Sequence, residues 1–187
     1  MRVIAGDLKS RIIRTPKGVK VRPTSDRVRE SVFSVIGECV VDSCALDLFA
    51  GAGSLGIEAI SRGASHVTFV ENSPGVAKVL EYNVSQLKIE DRATVREGDV
   101  FKILKGLSTR RARFGMVFMD PPYSKDLAHK AMEALSSSAV VAEGGVVVVE
   151  HGKADPLEKD YGELVLLRVL EFGETRVSIY RREACER

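Results

Sequence analysis

From Cys44 onward, short apolar runs alternate with segments of helical periodicity, and this rhythm restricts the fold more than any other feature. The runs Cys44 to Phe49, His66 to Glu71, Ala93 to Glu97, Phe114 to Met119 and Gly145 to Glu150 read as strands. Between them, Ser54 to Arg62, Pro74 to Leu87, Val100 to Gly106 and Asp126 to Ser136 repeat apolar residues at helical spacing. Strands joined through helices pair in parallel, so the expectation is an α/β fold: a parallel sheet covered by helices on both faces. The carboxy-terminal rhythm differs. Leu164 to Phe172 and Thr175 to Arg181 are separated only by Gly173-Glu174, too short for a helical crossover, which predicts an antiparallel hairpin.

Two strand ends carry chemistry. After the first strand, Asp47-Leu48-Phe49-Ala50-Gly51-Ala52-Gly53-Ser54-Leu55-Gly56 sets G-x-G-x-x-G between a strand and a helix. Glycines there permit a tight turn and close approach of a ligand to backbone N–H groups. Glu71 ends the second strand 24 residues after Asp47, near the roughly 20-residue spacing at which a carboxylate meets ribose hydroxyls. Asp47 precedes the glycines, where a carboxylate would repel a pyrophosphate but pair with the ammonium of a methionine moiety. The combination favours S-adenosylmethionine over a nicotinamide dinucleotide. Asp99-Val100, after the third strand, stands where a side-chain acceptor and a backbone N–H meet an adenine edge; Asp99 is equally suited to capping the next helix. The candidate cofactor residues are thus Asp47, Phe49, Ala50, Gly51, Gly53, Ser54, Glu71, Asn72, Asp99 and Val100.

The fourth strand runs into Asp120-Pro121-Pro122-Tyr123. Two prolines fix φ and remove two N–H donors, leaving a stiff rim of acceptors. Such a rim suits an amino group whose lone pair is delocalised into an aromatic ring. Asp120 and the Pro121 carbonyl would take its hydrogens, and Tyr123 would stack on the ring. Asp120, Pro121, Pro122 and Tyr123 are the candidate catalytic residues; the bland alternative is a rigid strand-ending turn.

The formal charge of +2 conceals an asymmetry: Met1 to Arg29 holds nine Lys or Arg against two Asp, a net +7, which leaves −5 for the remainder. A polyanion meeting the amino-terminal end would account for it, as would a solvated basic surface. Arg2 to Ala5 and Arg11 to Ile13 read as two short strands joined across Gly6 to Ser10, a basic hairpin arm over 1–23, followed by one domain over 24–187. Hydroxyl and carboxylate residues at Thr24, Ser25 and Asp26 would cap a helix ending near Gly37. No apolar run approaches the roughly 20 residues of a membrane span, and the first residues lack a signal peptide's apolar stretch, so a cytoplasmic protein with no membrane contact is expected. Cys39, Cys44 and Cys185, and His66, His129 and His151, lack ligand spacing, and no metal is expected; Cys44, heading an apolar run, reads as a small hydrophobe.

With both motifs at strand ends, the chain resembles the class I methyltransferases that modify amino groups. Asp47 to Gly56 matches their cofactor motif and Asp120 to Tyr123 their D/N-P-P-Y/F/W motif. More narrowly it is similar to the RsmD family of bacterial ribosomal RNA guanine-N2 methyltransferases. The matching stretches are Arg2 to Gly6, Arg22 to Glu30, Asp47 to Gly53 and Gly173 to Tyr180. The resemblance implies a Rossmann-like, seven-stranded, mostly parallel sheet with a reversed carboxy-terminal hairpin. It also implies methyl transfer to guanine N2 of small-subunit ribosomal RNA in an assembled or assembling particle; a monomer is expected. Arg2, Lys9, Arg11, Arg22, Thr24 and Arg27 become candidate RNA contacts, although Asp7-Leu8 stands where many relatives carry a basic and an aromatic residue. A DNA amino-methyltransferase, a non-catalytic RNA-binding module of the same fold and a dinucleotide oxidoreductase are the rival readings.

Overall fold

The computed structural model describes residues 1–16, 25–122 and 126–183. The helices are α1 (Asp26–Ile36), α2 (Ser54–Ser61), α3 (Pro74–Leu87), α4 (Val100–Thr109) and α5 (Leu127–Ser138). The strands are β1 (Cys44–Leu48), β2 (His66–Glu71), β3 (Ala93–Glu97), β4 (Phe114–Met119), β5 (Val141–Gly152), β6 (Asp160–Tyr161), β7 (Leu164–Phe172) and β8 (Thr175–Arg182). They form one sheet in the order β3-β2-β1-β4-β5-β8-β7-β6. The first five strands pair in parallel; β8, β7 and β6 pair antiparallel. This is the expected Rossmann-like class I methyltransferase architecture with one correction, eight strands in place of seven. The additional strand, β6, contributes only Asp160 and Tyr161, paired with Val165 and Leu164, and two residues leave no period in a sequence. β5 also starts before Gly145: its pairing with β4 shifts register between Phe114 and Met116, so a bulge around Gly144-Gly145 interrupts the apolar pattern without ending the strand.

Helices cover both faces. Val28, Val32, Phe33 and Ile36 of α1 pack with residues of α2 and α3 on one side, where the Phe33 and Phe118 ring centroids lie 5.7 Å apart. Leu104 and Leu107 of α4 pack with Ala131, Met132 and Leu135 of α5 on the other. Burying a side chain of this size contributes about 1.5–3 kcal/mol, so a helix without its apolar stripe would have nothing to hold it to the sheet. Local signals set the ends of α1: the Ser25 hydroxyl accepts from the Val28 N–H at 3.3 Å, and Gly37 turns at φ 53°. Cys44 departs from expectation, since it is exposed at the outer end of β1, its Sγ 3.7 Å from the Ser65 hydroxyl. No helix among the described residues is long and apolar enough to cross a membrane.

The amino-terminal hairpin is bolted down. Its two expected limbs pair around one bridge, Arg2 with Ile12: the Ile13 N–H donates to the Met1 carbonyl and the Val3 N–H to the Arg11 carbonyl, both at 3.0 Å, while other backbone groups bond to the body. The Ile4 and Ala5 N–H groups donate to the two oxygens of Glu58 at 2.8 and 3.0 Å, and Leu8 N–H donates to the Ser61 hydroxyl at 2.9 Å. Arg14 is held on both sides by Asn83, its N–H donating to Oδ1 at 2.9 Å and its carbonyl accepting from Nδ2 at 3.0 Å. One limb therefore runs beside α2 and the other returns beside α3, while Val3 and Ile13 enter the core. Gly6 makes the contact with α2 possible: at φ +80°, an added Cβ would stand 1.7 Å from the Ser61 carbonyl oxygen.

Candidate active site

The sheet order places β1 between β2 and β4, so the chain leaves β1 toward β2 on one side and returns at β4 on the other. The loops after β1 and β4 lead to helices on opposite faces of the sheet, and it is outside the carboxyl ends of the strands at such a point that open α/β sheets bind ligands. Leu48 lies opposite Val70 and Met119, which sets the first residues of the glycine loop between Glu71 and Asp120.

The glycine loop is shaped from within. Phe49, Gly51 and Gly53 have φ of 63°, 57° and 86°, three left-handed residues in five. Phe49 carries a side chain in that region, a local strain of the kind that collects at functional sites. At Gly53 a Cβ would stand 2.5 Å from Leu80 Cδ1. Ala50 N–H donates to the Val70 carbonyl at 2.9 Å and Gly53 N–H to the Ala50 carbonyl at 2.8 Å, closing the turn before α2 begins at Ser54.

Two carboxylates pin this loop. Glu71 accepts from Gly51 N–H at 2.9 Å through Oε2 and from Ser73 N–H at 2.8 Å through Oε1, joining the loop after β1 to that after β2. Asp47 lies beneath the loop, 2% exposed, and its Oδ2 accepts from Gly56 N–H at 2.9 Å. Burial pushes the Asp47 carboxyl up from 3.8 to about 7, with the Gly56 N–H opposing and the neighbouring Glu71 carboxylate adding to the rise. A desolvated carboxyl of this kind is suited to a cation, which would restore its ionised form. Gly98 N–H donates to the Glu71 carbonyl at 2.9 Å and draws the turn after β3 alongside. There Asp99 caps α4, accepting from Lys102 N–H at 2.9 Å, with its side chain exposed and Val100 buried beside it. Asn72 is exposed between β2 and α3. The candidate cofactor residues thus share three adjacent strand ends.

On the other side of β1, Asp120 is half-buried, Pro121 buried and Pro122 exposed. Tyr123 lies outside the described residues.

Residues 1–181 match the family model described as Conserved hypothetical protein 95, the RsmD family. The ribosomal RNA small subunit methyltransferase D of Escherichia coli strain K12 is 30% identical over 184 residues, which span 98% of this chain and 91% of that one. The chain belongs to the RsmD family. The solved structure of Escherichia coli yhhF overlays with a TM-score of 0.87 at 31% identity, covering 98% of both chains. The fold extends further, to an RNA methyltransferase from Salinibacter ruber in complex with S-adenosyl-L-homocysteine. That chain is 18% identical, with a TM-score of 0.66 over 86% of this chain and 94% of the other.

The RsmD-family amino terminus distributes its charge differently from a projecting basic arm. Arg2, Lys9, Arg11 and Arg27 are exposed, but Lys9 stands in the hairpin turn beside Ser61, at the end of α2 remote from the glycine loop. Arg22 and Thr24 lie outside the described residues. Arg29, counted among the nine cations, is fully buried and committed internally. It donates to the Arg2 carbonyl at 2.6 Å, to Asp26 at 2.7 Å and to the Ser54 carbonyl at 3.4 Å.

Sequence reasoning missed the polar residues that fasten this RsmD-family hairpin to the body: Glu58, Ser61, Asn83 and Arg29. Asn83 also donates to the Ala52 carbonyl at 3.0 Å, linking the hairpin's second limb to the glycine loop. Its signal was present. Asn83 sits three residues after Leu80 and four before Leu87, an amide on the apolar face of α3.

Proposed function

We propose that this chain transfers the methyl group of S-adenosylmethionine to the exocyclic N2 amino group of a guanine in small-subunit ribosomal RNA. The observation that carries the proposal is the pairing of two unlike strand ends: a glycine loop braced by Asp47 and Glu71, and, across β1, the proline-stiffened acceptor rim after β4. Family membership and the name of the Escherichia coli relative support the RNA class of the substrate.

S-adenosylmethionine, when bound, supplies a methyl carbon on a sulfonium, already a good donor. In this proposal Glu71 binds the ribose hydroxyls, Asn72 flanks them, and Asp99 with the Val100 N–H meets the adenine edge. Phe49, Ala50, Gly51, Gly53 and Ser54 form the wall along the methionine moiety, and Asp47 balances its ammonium. Asp120 and the Pro121 carbonyl accept the amino hydrogens of guanine, which turns the nitrogen lone pair away from the ring and toward the methyl carbon. Pro122 stiffens the rim and Tyr123 stacks on the base. The N–C bond forms as the S–C bond breaks, S-adenosylhomocysteine departs, and the surplus proton passes to Asp120 or water. Orientation is the protein's main contribution, since nitrogen and carbon must approach to roughly 3–3.5 Å. Residues 1–23 serve as an RNA-docking element on the domain formed by 24–187, the enzyme acts as a monomer, and the substrate is an assembled or assembling ribosomal particle.

The test is transfer of labelled methyl to unmodified small ribosomal subunits, naked ribosomal RNA and duplex DNA, followed by nucleoside analysis. N2-methylguanosine from the ribosomal substrates alone is expected. N6-methyladenine from DNA would overturn the substrate while leaving cofactor and fold in place.

A further inference from the structure

A surface beside the site remains unused by this chemistry. Arg14 lays its guanidinium over the Tyr82 ring, Cζ 4.2 Å from the centroid. Asn83, the next residue of α3 and almost fully buried, holds the Arg14 backbone on both its donor and acceptor sides. Three residues back, Arg11 donates to the Gln86 carbonyl at 3.2 Å, one turn further along α3. Lys78 is exposed one turn before Tyr82, toward the end of α3 that follows Glu71, Asn72 and Ser73. Tyr82, exposed by 36%, adds aromatic surface to this seam. Cations and an open aromatic face therefore line the junction of hairpin and α3, and that line climbs toward the strand ends that hold the candidate site.

The chemistry of the seam selects its ligand. A guanidinium stacked on a ring keeps its donor edge and its other face open, so one pair presents a π surface and phosphate-binding N–H groups together. Stacked base pairs in a duplex offer no free faces to such a surface; unpaired nucleotides do. Glu81, exposed next to Tyr82 on α3, disfavours phosphate beside itself and leaves the line of Arg11, Arg14 and Lys78 as the track for the backbone.

We propose that the seam formed by Arg11, Arg14, Lys78 and Tyr82 docks an unpaired segment of the RNA substrate near the target nucleotide. One base stacks on the Arg14–Tyr82 pair, and phosphates lie along Arg11, Arg14 and Lys78. The inference rests on the proposed RNA substrate and deepens it. The hairpin contributes its second limb to this surface, and the fixed backbone of Arg14 sets the distance from the docked strand to the glycine loop.

Fluorescence anisotropy with a labelled single-stranded RNA of about 12 nucleotides, titrated at several salt concentrations, tests it. Tyr82→Ala is expected to weaken binding about tenfold without changing the salt dependence, because stacking releases no counterions. Arg14→Ala should weaken binding to a similar degree and lower the slope of log affinity against log salt by about one. Tyr82→Phe should bind as the wild type does, and Lys105→Ala, on the far face of the sheet, should leave the Tyr82 dependence unchanged. Wild-type affinity in a Tyr82→Ala protein with an unchanged melting temperature would overturn the surface. Methyl transfer by the wild type to small ribosomal subunits is measured alongside. Transfer without a Tyr82 effect on binding removes the surface alone, whereas a Tyr82 effect without transfer to ribosomal RNA supports the surface and removes the proposed reaction.

Discussion

The two halves of the candidate site are built from opposite materials. After β1 and β2, carboxylates are spent on the protein's own backbone: Glu71 on Gly51 and Ser73, Asp47 on Gly56. After β4, two prolines remove donors from the rim. The first half is a cradle braced by its own carboxylates; the second is a rim from which prolines have removed N–H donors. In the proposed function this difference divides the labour, the cradle holding a cofactor and the rim an amino group.

The sharpest test of that division is Asp120→Ala. Turnover should fall by about 10²-fold or more, while cofactor affinity measured by calorimetry stays near the wild-type value. Loss of both together would merge the halves into one. Glu71→Ala should do the reverse, weakening the cofactor about tenfold and leaving turnover at saturating cofactor within a few-fold of wild type. Removal of that carboxylate also leaves the Gly51 and Ser73 N–H groups without their acceptor, so the loop itself should loosen in hydrogen exchange.

The Asp47 carboxyl gives a subtler, pH-dependent contrast. Its pKa is raised from 3.8 to about 7 by burial, so the fold holds the proton more tightly than the unfolded chain. Its contribution to stability is therefore fully present below pH 3.8 and is lost as the pH rises to about 7. A ligand ammonium acts in the opposite direction, favouring the ionised carboxylate. Cofactor affinity should accordingly rise with pH up to about 7 with release of a proton, and Asp47→Asn should remove most of that rise. A smaller effect, on stability alone, is expected from Gly6→Ala. The new Cβ would force the hairpin from Ser61, lowering the unfolding free energy by about 1–3 kcal/mol in denaturant titration without changing cofactor affinity.

The same contrast governs what the sequence made legible. The bounds of α3 could be read to the residue, Pro74 to Leu87, because proline fits a first helical turn and apolar residues recur at helical spacing as far as Leu87. Glu71, Asp99 and Asp120 could be placed at strand ends because each terminates or follows an apolar run. What escaped were features that only tertiary contacts define. β6 is too short to have a period, and the hairpin's anchors, Glu58 and Asn83, lie more than fifty residues away along the chain. Arg29 looks like any other cation until its burial places it between Arg2, Asp26 and Ser54. Charge counted along a chain cannot distinguish a cation offered to a polyanion from one spent on the interior.

The central claim is spatial, and a crystal structure with S-adenosyl-L-homocysteine tests it most directly. Ribose hydroxyls are expected on Glu71, adenine beside Asp99 and Val100, the ammonium toward Asp47, and the sulfur facing the Asp120-Pro121 rim across β1. A ligand bound away from the glycine loop, or lying with its sulfur turned from that rim, would contradict it.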